Sequence, residues 1–434
     1  MAEIKVPELL LCPISLEIMK DPVTTVTGIT YDRESIEEWL QQKSNKKDCM
    51  CPVTKQPLPT DPHFLTPNHT LRRFIQGWCS ANQSNVVDRI TTPRSPLDNS
   101  QLHKLLTDLD APRTFQTSLN KMHDLATQSQ RNRNFMAQQP VPKAMVQFIT
   151  TTFKQGETSG VEEALRILRL LWRSTSSSSS SSSSPTTGGG GGTNMKPLVG
   201  ETLDFIKSLT WILQLPIIDN DLNMVNEAMQ ILKLTIEITD STLLGSLNHE
   251  FFKQIVSTMR RLSKSSSSIP QNALKSALHV LIETCPLGRN RTKIVESGAV
   301  GELIELSMDK PTEKNLTELI FKVLGQLCSC AEGREEFLKH PAGIAVVSKR
   351  TLRVSAATDD GALHVLWLIS KFSATNEVVQ EMLRVGAVSK LCMVMQADCA
   401  SYLKQKATDI LRFHSKAWNN SPCIQLYLLT RHPR

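Results

Sequence analysis

At 434 residues the chain exceeds what one hydrophobic core usually organises, so two or more units are expected. The formal charge of +7 is mild, and its Lys and Arg residues are scattered among acids, which leaves no nucleic-acid footprint. Aromatic residues make up only 5%, while Leu, Ile, Val and Ala supply most of the apolar content, which favours stacked helices over a β-sandwich.

In chain order, the first informative stretch is "CPISLEIMKDPVTT", Cys12 to Thr25, which reads like the opening loop of a zinc-binding RING finger. A RING closes two zincs and needs about eight Cys or His ligands in tight pairs. The N-terminal region offers Cys12, Cys49, Cys51, Cys79, His63 and His69 with no C-x-x-C among them, so no metal is expected. Packing and hydrogen bonds must replace it.

The segment "TTVTGITYD" predicts two short strands turning at Gly28. Asp32 then caps a helix through "RESIEEWLQQK", with Ile36 and Leu40 on its buried face. A proline-rich second loop, "CPVTKQPLPTDP", is stiff and non-helical. Asn68 is a good N-cap for a closing helix in which Leu71, Ile75 and Trp78 recur at helical spacing.

These elements make a small domain over residues 5–82, followed by a polar, proline-containing linker over 83–113. Residues 114–420 read as leucine-rich helices, interrupted by a Ser/Gly-rich insertion at 174–195 that lacks the apolar surface to order itself. Residues 421–434 are expected to be a tail. Irregular helical copies are expected at Phe115–Ile149, Val161–Trp172, Glu201–Ile238 and Phe251–Leu262. Beyond them Cys285 and Cys328, Asn290 and Gly333, Gly333 and Asn376, and Arg291 and Arg334 recur at a step of 43 residues, the period of an armadillo solenoid. Such units bury their apolar faces only by stacking.

The longest apolar run, "ALHVLWLIS", is about half a membrane span, so no membrane crossing is expected. The N-terminus lacks a signal-peptide pattern, and the ten cysteines are irregularly spaced, which points to reduced thiols in cytosol or nucleus.

The segment "LLCPISLEIMKDPVTTVTGITYDRESIEEWL…CPVTKQPL…LTPNHTLRRFIQGWC" resembles a U-box, the zinc-free relative of the RING. Followed by armadillo repeats, it is similar to the shorter plant U-box ubiquitin ligases. The resemblance implies a mostly α fold: a small α+β, zinc-free, RING-like U-box and then an armadillo-type α-solenoid. It implies a core of Leu16, Pro22, Val23, Ile29, Tyr31, Ile36, Leu40, Leu58, Leu65, Leu71 and Ile75, with Tyr31, Asp32 and Asn68 as structural residues.

By the same resemblance the domain binds a ubiquitin-charged conjugating enzyme through Ile14, Leu16, Trp39 and Pro52, and positions the thioester without a covalent intermediate or cofactor. Lys55 stands at the family's basic linchpin position, where lysine lacks the planar fork of arginine. A protein substrate would sit on the repeats, pairing through the U-box is compatible with the family, and defence or stress signalling is the context it implies. Cys12 and Cys51 have no base nearby in sequence and read as small buried hydrophobes rather than nucleophiles. Arg289, Arg291, Arg334 and Arg384 fall near inter-helix turns, as solvated charge or as groove residues. The alternative is a non-enzymatic armadillo scaffold with a degenerate U-box.

Overall fold

The structure, a computed structural model, describes residues 6–42, 50–59, 64–81, 97–177, 202–215, 222–264, 270–308 and 313–431. Cys49, His63, the linker residues 83–96 and most of the predicted insertion lie outside them. The chain divides into two compact units, residues 1–139 with 170–192, and residues 140–169 with 193–434.

In the first unit, β1 (Pro22–Thr24) and β2 (Thr30–Asp32) are the predicted hairpin, antiparallel with Pro22 opposite Asp32. Gly28 turns the chain at φ +79°, a conformation that glycine adopts without steric cost. A third strand, β3 (Thr66–Pro67), pairs with the free edge of β1 and gives the order β2-β1-β3. A two-residue strand carries no period-2 signal, so the sequence did not announce it. Helix α1 (Arg33–Gln42) and helix α2 (His69–Ala81) fall where capping and periodicity placed them.

Their shared core is Leu10, Cys12, Met19, Val23, Tyr31, Ile36, Cys51, Leu58, Leu65, Ile75 and Cys79, with Ile29, Leu40 and Leu71 partly buried against it. Leu16 is a correction to the expected core: it is 74% exposed. It sits at φ +60° in the first loop.

The predicted linker is in part helical. Helix α3 (Asn99–Thr107) and the 3₁₀ turn Asp108–Asp110 bury Leu102 and Leu109, an apolar spacing the proline content had masked. Helices α4 (Phe115–Gln128), α5 (Gln130–Gln138) and α6 (Val141–Gln155) divide the expected first copy. Ser129 and Pro140 supply the breaks, Ser129 by accepting from the Arg131 amide as an N-cap. Helix α7 (Val161–Ser177) continues into the stretch read as an insertion, because serine costs a helix end little.

The second unit holds α6 and the first half of α7, and its elements continue as α8 (Thr202–Gln214), α9 (Leu222–Ile238), α10 (Ser241–Gly245), α11 (His249–Ser263) and α12 (Pro270–Thr284). Three-helix repeats follow: α13 (Asn290–Glu296), α14 (Ala299–Met308) and α15 (Lys314–Leu327); then α16 (Ala331–Lys339), α17 (Gly343–Arg350) and α18 (Ala356–Phe372). The last is α19 (Asn376–Arg384), α20 (Ala387–Gln396) and α21 (Ser401–Phe413), trailed by α22 (Ser415–Trp418). The expected tail is helix α23 (Pro422–Arg431), which packs on α20.

The long helices α9, α12, α15, α18 and α21 stack in that order, as an armadillo unit requires. Polar contacts follow the same step. Asn290, fully buried, donates to Leu244 O at 2.8 Å, and His414 contacts Ser370 O at 2.8 Å. Arg260 Nε reaches the buried Glu302 at 2.8 Å and Arg169 pairs with the buried Glu227, while the buried Asp359 accepts from Leu352 N of its own repeat at 2.6 Å. At Gly333, which recurs with Asn290, an added Cβ would lie 2.0 Å from Leu327 O. The chain there is too close for any side chain.

Candidate functional site

Two short loops dominate the N-terminal domain, and they are copies of each other. Each is closed by one antiparallel bridge, Leu11 to Ile18 in the first and Met50 to Pro57 in the second. Each opens with Cys-Pro. Cys12 N donates to Glu17 O at 2.8 Å, and Cys51 N to Gln56 O at 2.7 Å. In return Leu16 N donates to Cys12 O at 2.8 Å, and Lys55 N to Cys51 O at 3.0 Å. The fifth residue of each is left-handed, Leu16 at φ +60° and Lys55 at φ +57°. For a residue bearing a Cβ this conformation costs about 1 kcal/mol and persists only when the surroundings enforce it.

The sequence carries this duplication as "CPISLE" and "CPVTKQ", with a hydroxyl at the fourth position of each. That signal was available, and the absence of a second cysteine in either copy obscured it.

The sulfurs act as hydrogen-bond acceptors. Cys12 Sγ accepts from Asp32 N at 3.3 Å. Burial pushes the Cys12 thiol up, but the amides of Ser15, Asp32 and Ile14 and the Ser15 hydroxyl hold it below its usual value. Cys51 Sγ receives Tyr31 Oη at 2.9 Å, Thr27 Oγ1 at 3.4 Å and Thr54 N at 3.4 Å. Burial again opposes the charge, and the donors from Thr27, Thr54 and Tyr31 bring Cys51 down to about 6. The Tyr31 hydroxyl moves the other way, raised by burial and by its bond to Cys51. Both sulfurs are fully buried, so neither presents a nucleophile at the surface.

Carboxylates complete the frame. Asp32 Oδ1 accepts from Lys20 N at 2.7 Å and Asp21 N at 2.8 Å, and its pKa is raised by burial against these donors and the Glu34 amide. Thus Asp32 ties the loop end to the start of α1 as well as capping that helix. Asp21, which the sequence did not single out, receives Arg33 Nε at 2.7 Å and also pairs with Arg72, clamping α1 to α2. Asn68 caps α2, its Oδ1 accepting from Leu71 N at 3.0 Å, and its Nδ2 also donates to Thr24 Oγ1 of β1 at 3.3 Å. Among the described residues no group of three or more His, Cys, Asp or Glu is arranged to hold a metal.

The surface residues are placed as follows. Trp39 packs against the core and its Nε1 donates to Met50 O at 3.1 Å, joining α1 to the second loop. Ile14 is partly buried on the same core. Pro52 is half-buried, Lys55 is exposed, and Val53, not anticipated, is 51% exposed. Leu16 and Val53 are therefore outward apolar side chains on matching loops.

The U-box family model matches residues 6–84, and the plant U-box protein ARM repeat region model matches residues 101–434. The chain belongs to the plant U-box proteins with armadillo repeats. It is 39% identical to E3 ubiquitin-protein ligase PUB23 of Arabidopsis thaliana over 99% of this chain and 98% of that protein. It is also 39% identical to PUB24, covering 99% and 96%, and 37% identical to PUB22, covering 99% of each. A U-box ahead of armadillo repeats makes this chain a ubiquitin-protein ligase.

Proposed function

We propose that the face built from Ile14, Leu16, Trp39, Pro52 and Lys55 receives a ubiquitin-charged conjugating enzyme, and that the armadillo unit presents the protein substrate. The observation that carries this reading is the pair of matched loops, which present Leu16 and Lys55 as exposed side chains at strained left-handed positions. Strain of this kind gathers at functional surfaces. An exposed leucine, a rigid proline and an indole fixed by Met50 form a preorganised apolar anchor.

The transfer needs no ligase nucleophile. The substrate lysine amine attacks the thioester carbonyl between ubiquitin and the conjugating enzyme's cysteine, the C–S bond breaks, and the products are an isopeptide and a free thiol. The ligase contributes orientation. The Lys55 ammonium, exposed at the loop apex, supplies a point charge to a carbonyl or carboxylate of the charged complex. Action in cytosol or nucleus, on substrates in defence or stress signalling, and pairing through the U-box belong to this reading as the family implies them.

Reconstitution with activating enzyme, conjugating enzyme, ubiquitin and ATP tests it. Conjugates that form with wild type, survive prior chelation of the ligase and vanish with Trp39→Ala are the expected result. Wild type that forms none across several conjugating enzymes would leave a binding scaffold instead.

A further inference from the structure

The C-terminal repeats carry an exposed cluster of rings and cations that the U-box chemistry does not use. Trp367 on α18 stands 6.2 Å from Phe372 and 6.4 Å from Phe413 of α21, centroid to centroid, and His364 stacks behind it at 6.5 Å. Gly325 of α15 makes room for that imidazole, since an added Cβ would lie 3.2 Å from His364 Cδ2. Phe372 is 56% exposed and Phe413 43%.

Two cations lie on these rings. Lys371 Nζ is 4.5 Å from the Trp367 centroid and 5.1 Å from Phe372, and the Arg334 guanidinium is 5.1 Å from Phe372. The Arg334 edge is used in the fold, bonding Ser373 Oγ and the carbonyls of Cys328 and Ser329. On the surrounding helices Asp360 is paired with Lys406, Glu381 with Arg384, and Glu335 and Glu336 with Lys339, while Glu377 of α19 and Asp409 of α21 form no ion pair with Arg334 or Lys371. Glu332 senses the Arg334 charge without forming an ion pair. Arg412 and Lys416 are exposed at the ends of α21 and α22 and add positive charge, again with no carboxylate partner among the described residues. The cluster thus pairs open aromatic surface with cations that have no ion-pair partner among the described residues and lie over the rings beneath them.

We propose that the face formed by Arg334, Trp367, Lys371, Phe372 and Phe413 docks an acidic peptide segment that carries an apolar side chain. The proposal rests on the reading that the armadillo unit receives substrate. Charge complementarity selects the acidic partner, because a basic segment would meet like charge. The rings select an aromatic or aliphatic anchor.

Panning a random dodecamer display library on the immobilised full chain tests this. Enriched sequences should carry at least two acidic residues beside an aromatic or large aliphatic one. A synthetic copy of the strongest should bind Lys371→Glu and Phe413→Ala chains at least about tenfold more weakly than wild type, while both variants keep wild-type self-ubiquitination and melting. Neutral or basic winners, no winners, or a winner whose affinity neither variant changes would each overturn the proposal. Fusing the winner to a lysine-bearing carrier separates the two readings. Binding at the face without carrier ubiquitination, while self-ubiquitination proceeds, sinks the substrate reading and leaves the surface standing. A carrier that is ubiquitinated equally by wild type and both variants does the reverse.

Discussion

Replacing Asn68 with alanine removes two interactions that converge on the start of α2. The side-chain oxygen that accepts from Leu71 N at 3.0 Å is an N-cap, worth about 1 kcal/mol. The Nδ2 donor to Thr24 Oγ1 at 3.3 Å links α2 to β1 and contributes about another 1 kcal/mol. Together the loss is about 2 kcal/mol, or roughly thirtyfold in the opening equilibrium of the domain. Hydrogen exchange on the intact chain reads this directly, because the amides of Val23 and Tyr31 are protected in the β1–β2 pair. They should exchange roughly thirtyfold faster in Asn68→Ala, with the armadillo amides unchanged. Asn68→Asp keeps the cap acceptor and loses the donor, so its rate should fall between the two. Rates for the aspartate equal to those for alanine, or an alanine variant within about threefold of wild type, would refute the assignment of two separable roles.

Asp21→Asn strips the charge from the clamp between Arg33 and Arg72, and calorimetry should show the U-box destabilised by about 2 kcal/mol, with conjugate formation falling alongside. The Cys51 thiol, depressed to about 6, takes up a proton on unfolding between that pH and its usual value near 9. U-box stability should therefore rise as pH increases from 6 to 9 and be lost as pH falls through 6, and Cys51→Ser should flatten that slope in a denaturant series. Gly333→Ala forces a Cβ against Leu327 O, so the armadillo transition should drop by about 2 kcal/mol while U-box exchange stays as it was. Lys55→Arg restores a planar fork and should speed single-turnover discharge of the charged conjugating enzyme, whereas Lys55→Ala should slow discharge more than it weakens binding.

Much of this molecule was legible before any coordinates. Ile36, Leu40, Leu71, Ile75 and Trp78 recur at helical spacing, and periodicity states which residues share a face, so α1 and α2 could be read along the chain. The step of 43 residues declared the repeats for the same reason, since a unit that cannot bury its own apolar face must repeat it. Even the lack of paired Cys or His ligands was a matter of counting along the chain. Polar side chains were read only where one element held both partners or a cap rule applied, as at Asn68.

What remained hidden joins distant residues. Asp21 and Arg72 are 51 positions apart, and Thr27, Tyr31 and Thr54 meet on Cys51 only after β2 and the second loop are packed together. Leu16, which the family resemblance put both in the core and at the conjugating-enzyme surface, is exposed at a positive φ. Spacing along one chain assigns faces and periods. It carries no information on which donor reaches which acceptor across a fold, nor on which backbone dihedral each residue adopts, and those are the terms that hold the two loops together and shape the surface.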